Sequence, residues 1–435
     1  MDKEKIAIFW FRRDLRVNDN AGLYHALKSG FKVLPIFIFD KNILDKLEDK
    51  DDARITFIYQ EIEKLKTQIQ KHNSSLLVKY GKPDDVWANI LSDYEVRAVY
   101  TNHDYEPYAT ERDESLNQYF SKKDIPFYTF KDQVIFEKSE IVKDDGDPYV
   151  VFTPYKKKWL AKLKDFYIKP YPTEKYLTEF IPVKSFDLPT LKSLGFEKST
   201  QHFPDKEFKN VLKNYGVDRD YPAKDATSRL SVHLRFGTVS IRNLVKVAQK
   251  EKSDVWLSEL IWRDFYFSII YHFPHSAKDS FRKEYDQIKW RNNEKEFEAW
   301  CHGKTGYPIV DAGMRQLNET GFMHNRIRMV VASFLTKHLL IDWRWGERYF
   351  ARKLLDYELS SNVGGWQWAA GSGVDAAPYF RIFNPYEQVK KFDKDHKYIK
   401  EWVPEYADPF TYPQPMVDHK FARERCLDTY KEALK

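Results

Sequence analysis

Residues 5–39, KIAIFWFRRDLRVNDNAGLYHALKSGFKVLPIFIF, contain the pattern that decides the fold of the first half of the chain. Two short apolar runs rich in β-prone side chains, 5–11 and 32–39, flank an amphipathic stretch at 21–29. A strand, a helix and a second strand in this order are typical of a parallel sheet covered by helices.

The following residues repeat the alternation. Further strands are predicted at 76–80, 97–101 and 126–130, and a long helical stretch at 53–71. The pattern predicts a doubly wound, Rossmann-like α/β domain over residues 1–130. The segment after the first strand, FRRDLRVNDN, holds no glycine, so the glycine-rich loop that cradles a dinucleotide is absent. This half is better interpreted as a scaffold or as a domain for an accessory pigment.

The second half has a different character. Residues 131–200 contain several prolines and lysine-rich stretches and predict a long connector. From 201 to 435 the periodicity is helical, which predicts an all-helical domain. The helices are predicted at 239–250, 254–272, 294–301, 308–320, 324–339 and 345–360.

Composition limits the class of protein. A chain of 435 residues with 42% hydrophobic and 31% charged residues is expected to form two or three packed domains. Its net charge is +6, with the positive excess in the second half, which suits a polyanion such as nucleic acid. The chain has two cysteines far apart in sequence, so neither disulfides nor a metal site is expected. It contains no apolar stretch of membrane length and no secretory signal, which predicts a cytoplasmic protein.

Two motifs could bind a ligand in the helical half. In DATSRLS, the hydroxyls of Thr227, Ser228 and Ser231 suit a phosphate at a helix start, although the spacing alone favours an ordinary N-cap. In SELIWRDFYF, helical spacing places Glu259, Trp262 and Tyr266 on one face, with Arg263 four residues after the glutamate. A solvated Glu–Arg pair and a base-stacking pocket both remain open from this spacing.

Two further tracts combine polar and aromatic side chains. FMHNRIRMVVASF puts Asn325 and Met329 one helical turn apart, flanked by Arg326 and Arg328, which could meet phosphates or a base edge. Residues 354–385, LLDYELSSNVGGWQWAAGSGVDAAPYFRIFNP, alternate acids, an amide, glycines and large aromatics. Such a mixture favours a cofactor or ligand site as much as a packed core.

Taken together, the motifs resemble the photolyase/cryptochrome family. FWFRRDLRVNDN, TSRLS, ELIWRDFY, MHNRIRM, IDWRWGERYF and NVGGWQWAAGSGVDAAPYFRIFNP occur in the order and at the spacing of that family, over essentially the whole chain. The similarity is closest to the class I photolyases that act on cyclobutane pyrimidine dimers. It implies an N-terminal α/β domain and a helical domain that holds a folded FAD.

The resemblance implies a role for each matching residue. The residues implied to contact FAD are Tyr215, Thr227, Ser228, Leu230, Ser231, Trp256, Glu259, Arg263, Asn325, Arg328, Asp356, Glu358 and Asn362. Asn362 matches the position facing flavin N5, where a neutral amide can stabilise an anionic flavin without protonating it. Trp366, Trp343 and Trp290 match the relay that carries electrons from the surface to the flavin.

A second set is implied to contact the substrate. Residues implied to touch the flipped-out lesion or the DNA are Glu259, Trp262, Asn325, Arg326, Met329, Trp368, Arg381 and Gln388. The implied reaction is light-dependent repair of cyclobutane dimers in duplex DNA by electron transfer from excited reduced FAD, performed by a monomer. A buried, protonated Glu259 could assist by donating to the reduced lesion.

The resemblance leaves the antenna chromophore and two alternatives open. Tyr108 and Ala109 stand where folate-binding members carry an Asn-Glu pair, so a folate antenna is not expected; a deazaflavin, a second flavin or no antenna remain. A cryptochrome photoreceptor would carry Asp or Cys at the position of Asn362. A six-four photolyase would carry two histidines at Asn325 and Met329.

Overall fold

The computed structural model describes residues 4–435, and the contacts among them divide the chain into two compact units. The first, called here the sheet unit, runs to Glu137 and includes Lys162–Lys206 and Leu230–Lys250. The second, called the helical unit, consists of Lys138–Ala161, Glu207–Arg229 and Glu251–Lys435.

The sheet unit is built on five parallel strands in the order β3-β2-β1-β4-β5. The strands are β1 Lys5–Phe11, β2 Lys32–Asp40, β3 Leu77–Gly81, β4 Glu95–Asn102 and β5 Phe127–Phe130. Residues 6–11 of the central strand are all buried, as expected when helices cover both faces of a sheet. The predicted doubly wound α/β fold is confirmed.

Nineteen α-helices are numbered along the described chain. They are α1 Ala21–Leu27, α2 Lys41–Leu44, α3 Ala53–Gln70, α4 Pro83–Asp93, α5 Pro107–Ser121, α6 Phe152–Lys162, α7 Lys209–Leu212, α8 Tyr215–Asp218, α9 Ser231–Arg235, α10 Ile241–Lys250, α11 Asp254–His272, α12 Glu294–Cys301, α13 Pro308–Thr320, α14 Asn325–Ser333, α15 Trp343–Lys353, α16 Leu359–Ala370, α17 Pro385–Phe392, α18 Lys397–Trp402 and α19 His419–Ala433. A π-helical turn, Phe334–His338, continues α14.

The core of the helical unit forms between α12, α13, α14, α15 and α16. Its largest fully buried side chains include Trp300, Trp343 and Trp366. Gly346 permits close packing of α15 on α16, because a Cβ at this position would lie 2.1 Å from the Trp366 ring. The all-helical second domain is therefore confirmed as a packed unit.

One predicted helix is wrong, and the boundaries of the two units differ from the linear division that the sequence predicts. The helix expected at 345–360 is two helices, because α15 ends at Lys353 and the extended Glu358 starts α16 as its N-cap. The predicted connector 131–200 is shared between the units. Its Ile181 amide donates to the Val33 carbonyl at 2.9 Å beside β2, so the later part packs in the sheet unit.

Candidate functional site

The helical unit contains an open cavity of about 340 Å³ between α11, α14 and α16. Polar and aromatic side chains line it together. Of the residues predicted from the sequence, the lining includes Glu259, Trp262, Tyr266, Asn325, Arg328, Met329, Asp356, Glu358, Asn362, Trp366 and Trp368. Arg219, Phe350 and Tyr357 also line it, and the sequence had assigned none of these three a role.

Helix α11 contributes one face of the cavity. Glu259, Trp262 and Tyr266 lie on this face, as their spacing predicts. Trp262 stacks on Phe152 of α6 with ring centroids 3.6 Å apart and planes 6° from parallel. Gly364 of α16 packs against α11 so closely that a Cβ there would lie 2.3 Å from the Tyr266 ring. The indole of Trp262 is thus fixed in orientation before any ligand binds.

The cavity glutamate is paired with a distant arginine. Glu259 forms a salt bridge with Arg219, and the guanidinium of Arg263 lies 4.7 Å from the centroid of the Phe267 ring. Burial raises the pKa of Glu259 above its ordinary value, although Arg219 opposes this shift. Burial therefore favours the protonated form of Glu259, whereas the salt bridge favours its charged form.

Helix α14 contributes an amide, a thioether and a cation. Asn325 and Met329 line the cavity one turn apart, as predicted. The Arg328 Nη2 donates to Asp356 at 2.9 Å, and its Nε donates to the Met323 carbonyl at 2.8 Å. The guanidinium is therefore held rigidly at the wall, where it can meet an anionic or carbonyl group of a ligand.

The start of α16 holds two polar groups against the cavity. Glu358 is buried and accepts hydrogen bonds from the backbone amides of Ser360 and Ser361 at 3.2 and 3.0 Å, which caps the helix. Asn362 lies one turn further along and its Nδ2 donates to Glu347 Oε1 at 3.0 Å. Burial raises the pKa of Glu347.

The three predicted relay tryptophans differ in burial. Trp366, which lines the cavity, and Trp343 are each 2% exposed, whereas Trp290 is only partly buried. The ring contacts of Trp366 within residues 4–435 are with Phe350 at 5.0 Å and with Trp300 at 6.1 Å. The relay stays a prediction, and the structure adds Trp300 as a neighbour of Trp366.

Other predicted FAD residues lie outside the cavity lining. Tyr215 is buried, and Glu259 and Arg219 both influence its pKa, which burial raises. The Trp256 Nε1 donates to Ser228 Oγ at 3.3 Å, next to the half-buried Thr227.

The division into units also separates part of the predicted phosphate loop. Leu230 and Ser231 fall in the sheet unit. Ser231 is not an N-cap, because Leu230 occupies that position of α9 and makes no side-chain capping bond. The alternative of an ordinary N-cap is therefore wrong for this serine.

The predicted DNA-contacting residues occupy different environments. Arg326 pairs with Asp220 at 2.8 Å and lies over the Phe392 ring at 4.3 Å. Arg381 is exposed, and Gln388 is half-buried on α17. The exposed Arg381, whose guanidinium lies 5.9 Å from the centroid of the Phe383 ring, can reach a phosphate group from solvent.

Two observations show that the cavity suits a flat aromatic ligand. A Cβ added at Gly365, which lines the cavity, would have no atom within 4 Å, so the backbone faces open space there. The buried Nε1 of Trp366 has no hydrogen-bond partner among the described residues. Together with Arg328, Asn362 and the acidic residues of the lining, this indole N–H forms a set of donors and acceptors that fits the isoalloxazine ring of FAD.

Comparison with known proteins assigns the family. The family model for DNA photolyase matches residues 7–175, and the model for the FAD binding domain of DNA photolyase matches residues 256–432. A deoxyribodipyrimidine photo-lyase from Synechococcus sp. is 37% identical over 98% of this chain and 96% of its own length. The chain therefore belongs to the DNA photolyase family of DNA-repair flavoenzymes, and FAD is its cofactor.

Solved structures are similar over almost the whole chain. A photolyase from Sulfolobus tokodaii with two FAD molecules matches with a TM-score of 0.83 and 35% identity, covering 98% of this chain and 99% of that one. A cryptochrome from Synechocystis sp. matches with a TM-score of 0.85 and 25% identity, covering 99% and 100%. Within residues 4–435, none of the helices is long and apolar enough to cross a membrane.

The antenna question concerns the sheet unit. The Tyr108 hydroxyl donates to Asp40 at 2.6 Å, and the Asn42 amide donates to Tyr108 at 3.3 Å. Burial and Asp40 raise the pKa of Tyr108 to about 12. Tyr108 is therefore a neutral, internally bonded residue where folate-binding members carry an amide or acid, and the identity of an antenna stays a prediction.

Proposed function

We propose that this protein repairs cyclobutane pyrimidine dimers in duplex DNA with blue light, as a class I photolyase. The observation that carries the proposal is the composition of the cavity wall. Trp262 and Trp368 offer aromatic surfaces, Met329 offers an apolar one, and Glu259 provides a polar end. These are the properties of a pocket for two linked pyrimidines that have left the base stack, as the substrate of a base-flipping enzyme does.

The residues of this chain divide the work. FAD, when bound and reduced, supplies an electron upon excitation by light. Trp262, already fixed against Phe152, would hold the dimer by stacking, at about 1–3 kcal/mol per base. In its protonated form, which burial favours, Glu259 would donate a hydrogen bond to a pyrimidine carbonyl. The salt bridge with Arg219 opposes that effect of burial.

The side chains at the start of α14 favour a cyclobutane dimer over a six-four photoproduct as the substrate. Repair of a six-four photoproduct is expected to need a general acid near the helix start, and Asn325 and Met329 cannot titrate there. His324 is nearby, but burial lowers its pKa to about 4, so it is neutral at physiological pH. A cyclobutane dimer needs an electron, a stacking pocket and a hydrogen-bonding end, all of which the cavity offers.

The test uses two duplexes that differ only in the lesion. Chemically reduced protein is illuminated with each duplex, and the products are separated by chromatography. We expect the dimer-containing duplex to be restored and the six-four duplex to remain. Restoration of the six-four duplex alone would overturn the lesion assignment.

The second candidate is a cryptochrome photoreceptor, because the chain is also similar to the structure of the Synechocystis cryptochrome. Asn362 argues against it, because the resemblance assigns Asp or Cys to plant-type and insect-type receptors.

The arginines at 326 and 381 would bind the DNA backbone, so affinity should fall as salt is added. The monomeric state and the cytoplasmic location stay predictions.

A further inference from the structure

Lys337 is a buried cation that none of the functions above requires. It lies on the π-helical turn Phe334–His338 and is 1% exposed. Its Nζ donates to the Ala370 carbonyl at 2.9 Å and to the Tyr379 carbonyl at 3.2 Å. The centroid of the Tyr430 ring is 4.0 Å from the same nitrogen. Within residues 4–435 no carboxylate pairs with it, so two carbonyls and a ring hold the charge.

The two carbonyls mark the two ends of one loop. Ala370 is the last residue of α16, where a helix leaves carbonyls without internal partners, and Gly371 then turns the chain with a φ of 90°. Tyr379 ends the loop, and its ring stacks on Tyr430 at 5.9 Å. The Tyr430 hydroxyl also donates to Ala370, at 3.0 Å. Lys337 and Tyr430 therefore close the 370–379 loop at its base.

The loop connects two residues that the proposed function assigns to the substrate. Trp368 precedes it by two residues and lines the cavity. Arg381 follows it by two residues and is exposed, with its amide donating to the Pro378 carbonyl at 2.8 Å. The distance between the aromatic surface of Trp368 and the cationic group of Arg381 thus depends on how the loop is closed.

The ammonium group is costly for the fold. Burial lowers the pKa of Lys337 to about 8, which is the mark of a charge held away from water. An apolar side chain of similar length would fill the same space without this cost. Stability alone is therefore a poor reason for a lysine here, whereas fixing both loop ends requires a multiple donor.

We propose that Lys337 is a positioning residue for damaged DNA, which sets the 370–379 loop so that Trp368 and Arg381 meet lesion and phosphate together. The inference rests on the proposed function of the cavity. Without the ammonium group the Tyr379 carbonyl loses its donor from Lys337, and the loop ends can separate. Binding must then order the loop, which lowers affinity and leaves the chemistry of a bound lesion unchanged.

The test compares Lys337→Met with Lys431→Met, which removes the same charge from an exposed position on α19. Binding of duplexes with and without one cyclobutane dimer is measured in the dark, together with FAD content and the repair rate at saturating DNA. We expect Lys337→Met to weaken binding of the dimer duplex about tenfold, with FAD content and saturated repair rate retained. Lys431→Met should stay within about twofold of wild type.

A second measurement needs only wild-type protein for its main result. Affinity for the dimer duplex should decline as pH rises from about 7 to about 9, because Lys337 loses its charge in this range, and Lys337→Met should lack the decline. Around Lys337, the pKa of Cys426 is raised to about 11, that of Tyr430 is raised well above its ordinary value, and that of His338 is lowered to about 3. None of these three changes charge between pH 7 and 9. The remaining nearby groups, Tyr379, His419 and Arg425, are common to both proteins.

The outcomes separate this inference from the proposed function. If wild type neither prefers nor repairs dimer-containing DNA, the proposed function fails. If wild type does both and Lys337→Met binds equally well, only the role of Lys337 fails. Loss of FAD or of folding in Lys337→Met would indicate a structural role, and a wild-type affinity that is constant from pH 7 to 9 would likewise overturn the inference.

Discussion

The Asn362 side chain donates a hydrogen bond to Glu347 Oε1 at 3.0 Å, and this contact orients the amide at the cavity wall. Its Nδ2 also donates to the Glu347 backbone carbonyl at 3.2 Å. Burial raises the pKa of Glu347. The amide of Asn362 beside it is neutral and cannot exchange a proton with this carboxyl group. The two residues come from α15 and α16, fifteen positions apart.

Asn362→Asp should change the protonation of the flavin environment. The new carboxyl group would lie beside Glu347, and two acids in contact retain a proton between them at neutral pH. We expect an altered visible spectrum after photoreduction and weaker repair. Glu347→Gln keeps an amide partner for Asn362 and serves as the control. If Asn362→Asp matches wild type in spectrum and repair, Asn362 does not face the flavin.

Trp290→Phe should impair photoreduction of the flavin by an external thiol under blue light. The reason is that Trp290 is only partly buried, whereas Trp343 and the cavity residue Trp366 are each 2% exposed, so Trp290 is the member of the predicted relay nearest to solvent. Repair that starts from chemically reduced protein should survive. Trp300→Phe is the matched comparison, because Trp300 contacts the Trp366 ring but lies outside the predicted relay. Impairment in Trp300→Phe with none in Trp290→Phe would assign the path to Trp300.

Trp262→Ala should weaken lesion binding by about 1–3 kcal/mol, roughly ten- to a hundredfold, through loss of one stacking surface. Trp262→Phe retains a ring against Phe152 and should retain more of the affinity. Binding of dimer-containing duplex in the dark measures both variants. Equal affinities for wild type and Trp262→Ala would remove Trp262 from the lesion pocket.

Lys337 should make stability depend on pH in a specific direction. Its pKa is lowered from 10.5 to about 8 by burial, so between these values the unfolded chain binds the proton and the folded one does not. The contribution of this group to the free energy of unfolding therefore rises with pH in that window, by about 3 kcal/mol in total. Below about pH 8 the lysine is charged in both states, and the whole destabilisation by the buried charge is present.

Melting temperatures of wild type and Lys337→Met at several pH values measure this difference. The advantage of Lys337→Met should be largest near pH 7 and shrink toward pH 10. An advantage that grows with pH would contradict the burial of a charged lysine.

Local patterns predicted the elements, whereas contacts over long distances in sequence were missed. The run 5–11 is β1 to the residue, because a continuous apolar strand has few alternatives. The helix at 345–360 failed because residues with helical propensity continue through 354–358, where Glu358 instead caps a new helix. Arg219 was missed because it is forty positions from Glu259, and its short helix region carries no motif.

The site was predicted in composition more fully than in geometry. The resemblance named most of the cavity wall, including Asn362 and Trp366. Neither spacing nor resemblance indicated Phe152, which lies in the predicted connector and stacks on Trp262. A partner that arrives from a distant segment leaves no periodic signal beside the residue that it supports.

Light-dependent repair of a single dimer is the decisive measurement of the proposed activity. Chemically reduced protein is mixed with an excess of duplex that carries one cyclobutane dimer, and half of the sample is kept dark. Chromatography then measures the restored duplex in each half. The proposed function predicts that each illuminated protein molecule restores many duplexes and that the dark sample restores none. An illuminated sample in which the dimer persists, although the protein binds FAD and is fully reduced, would contradict it.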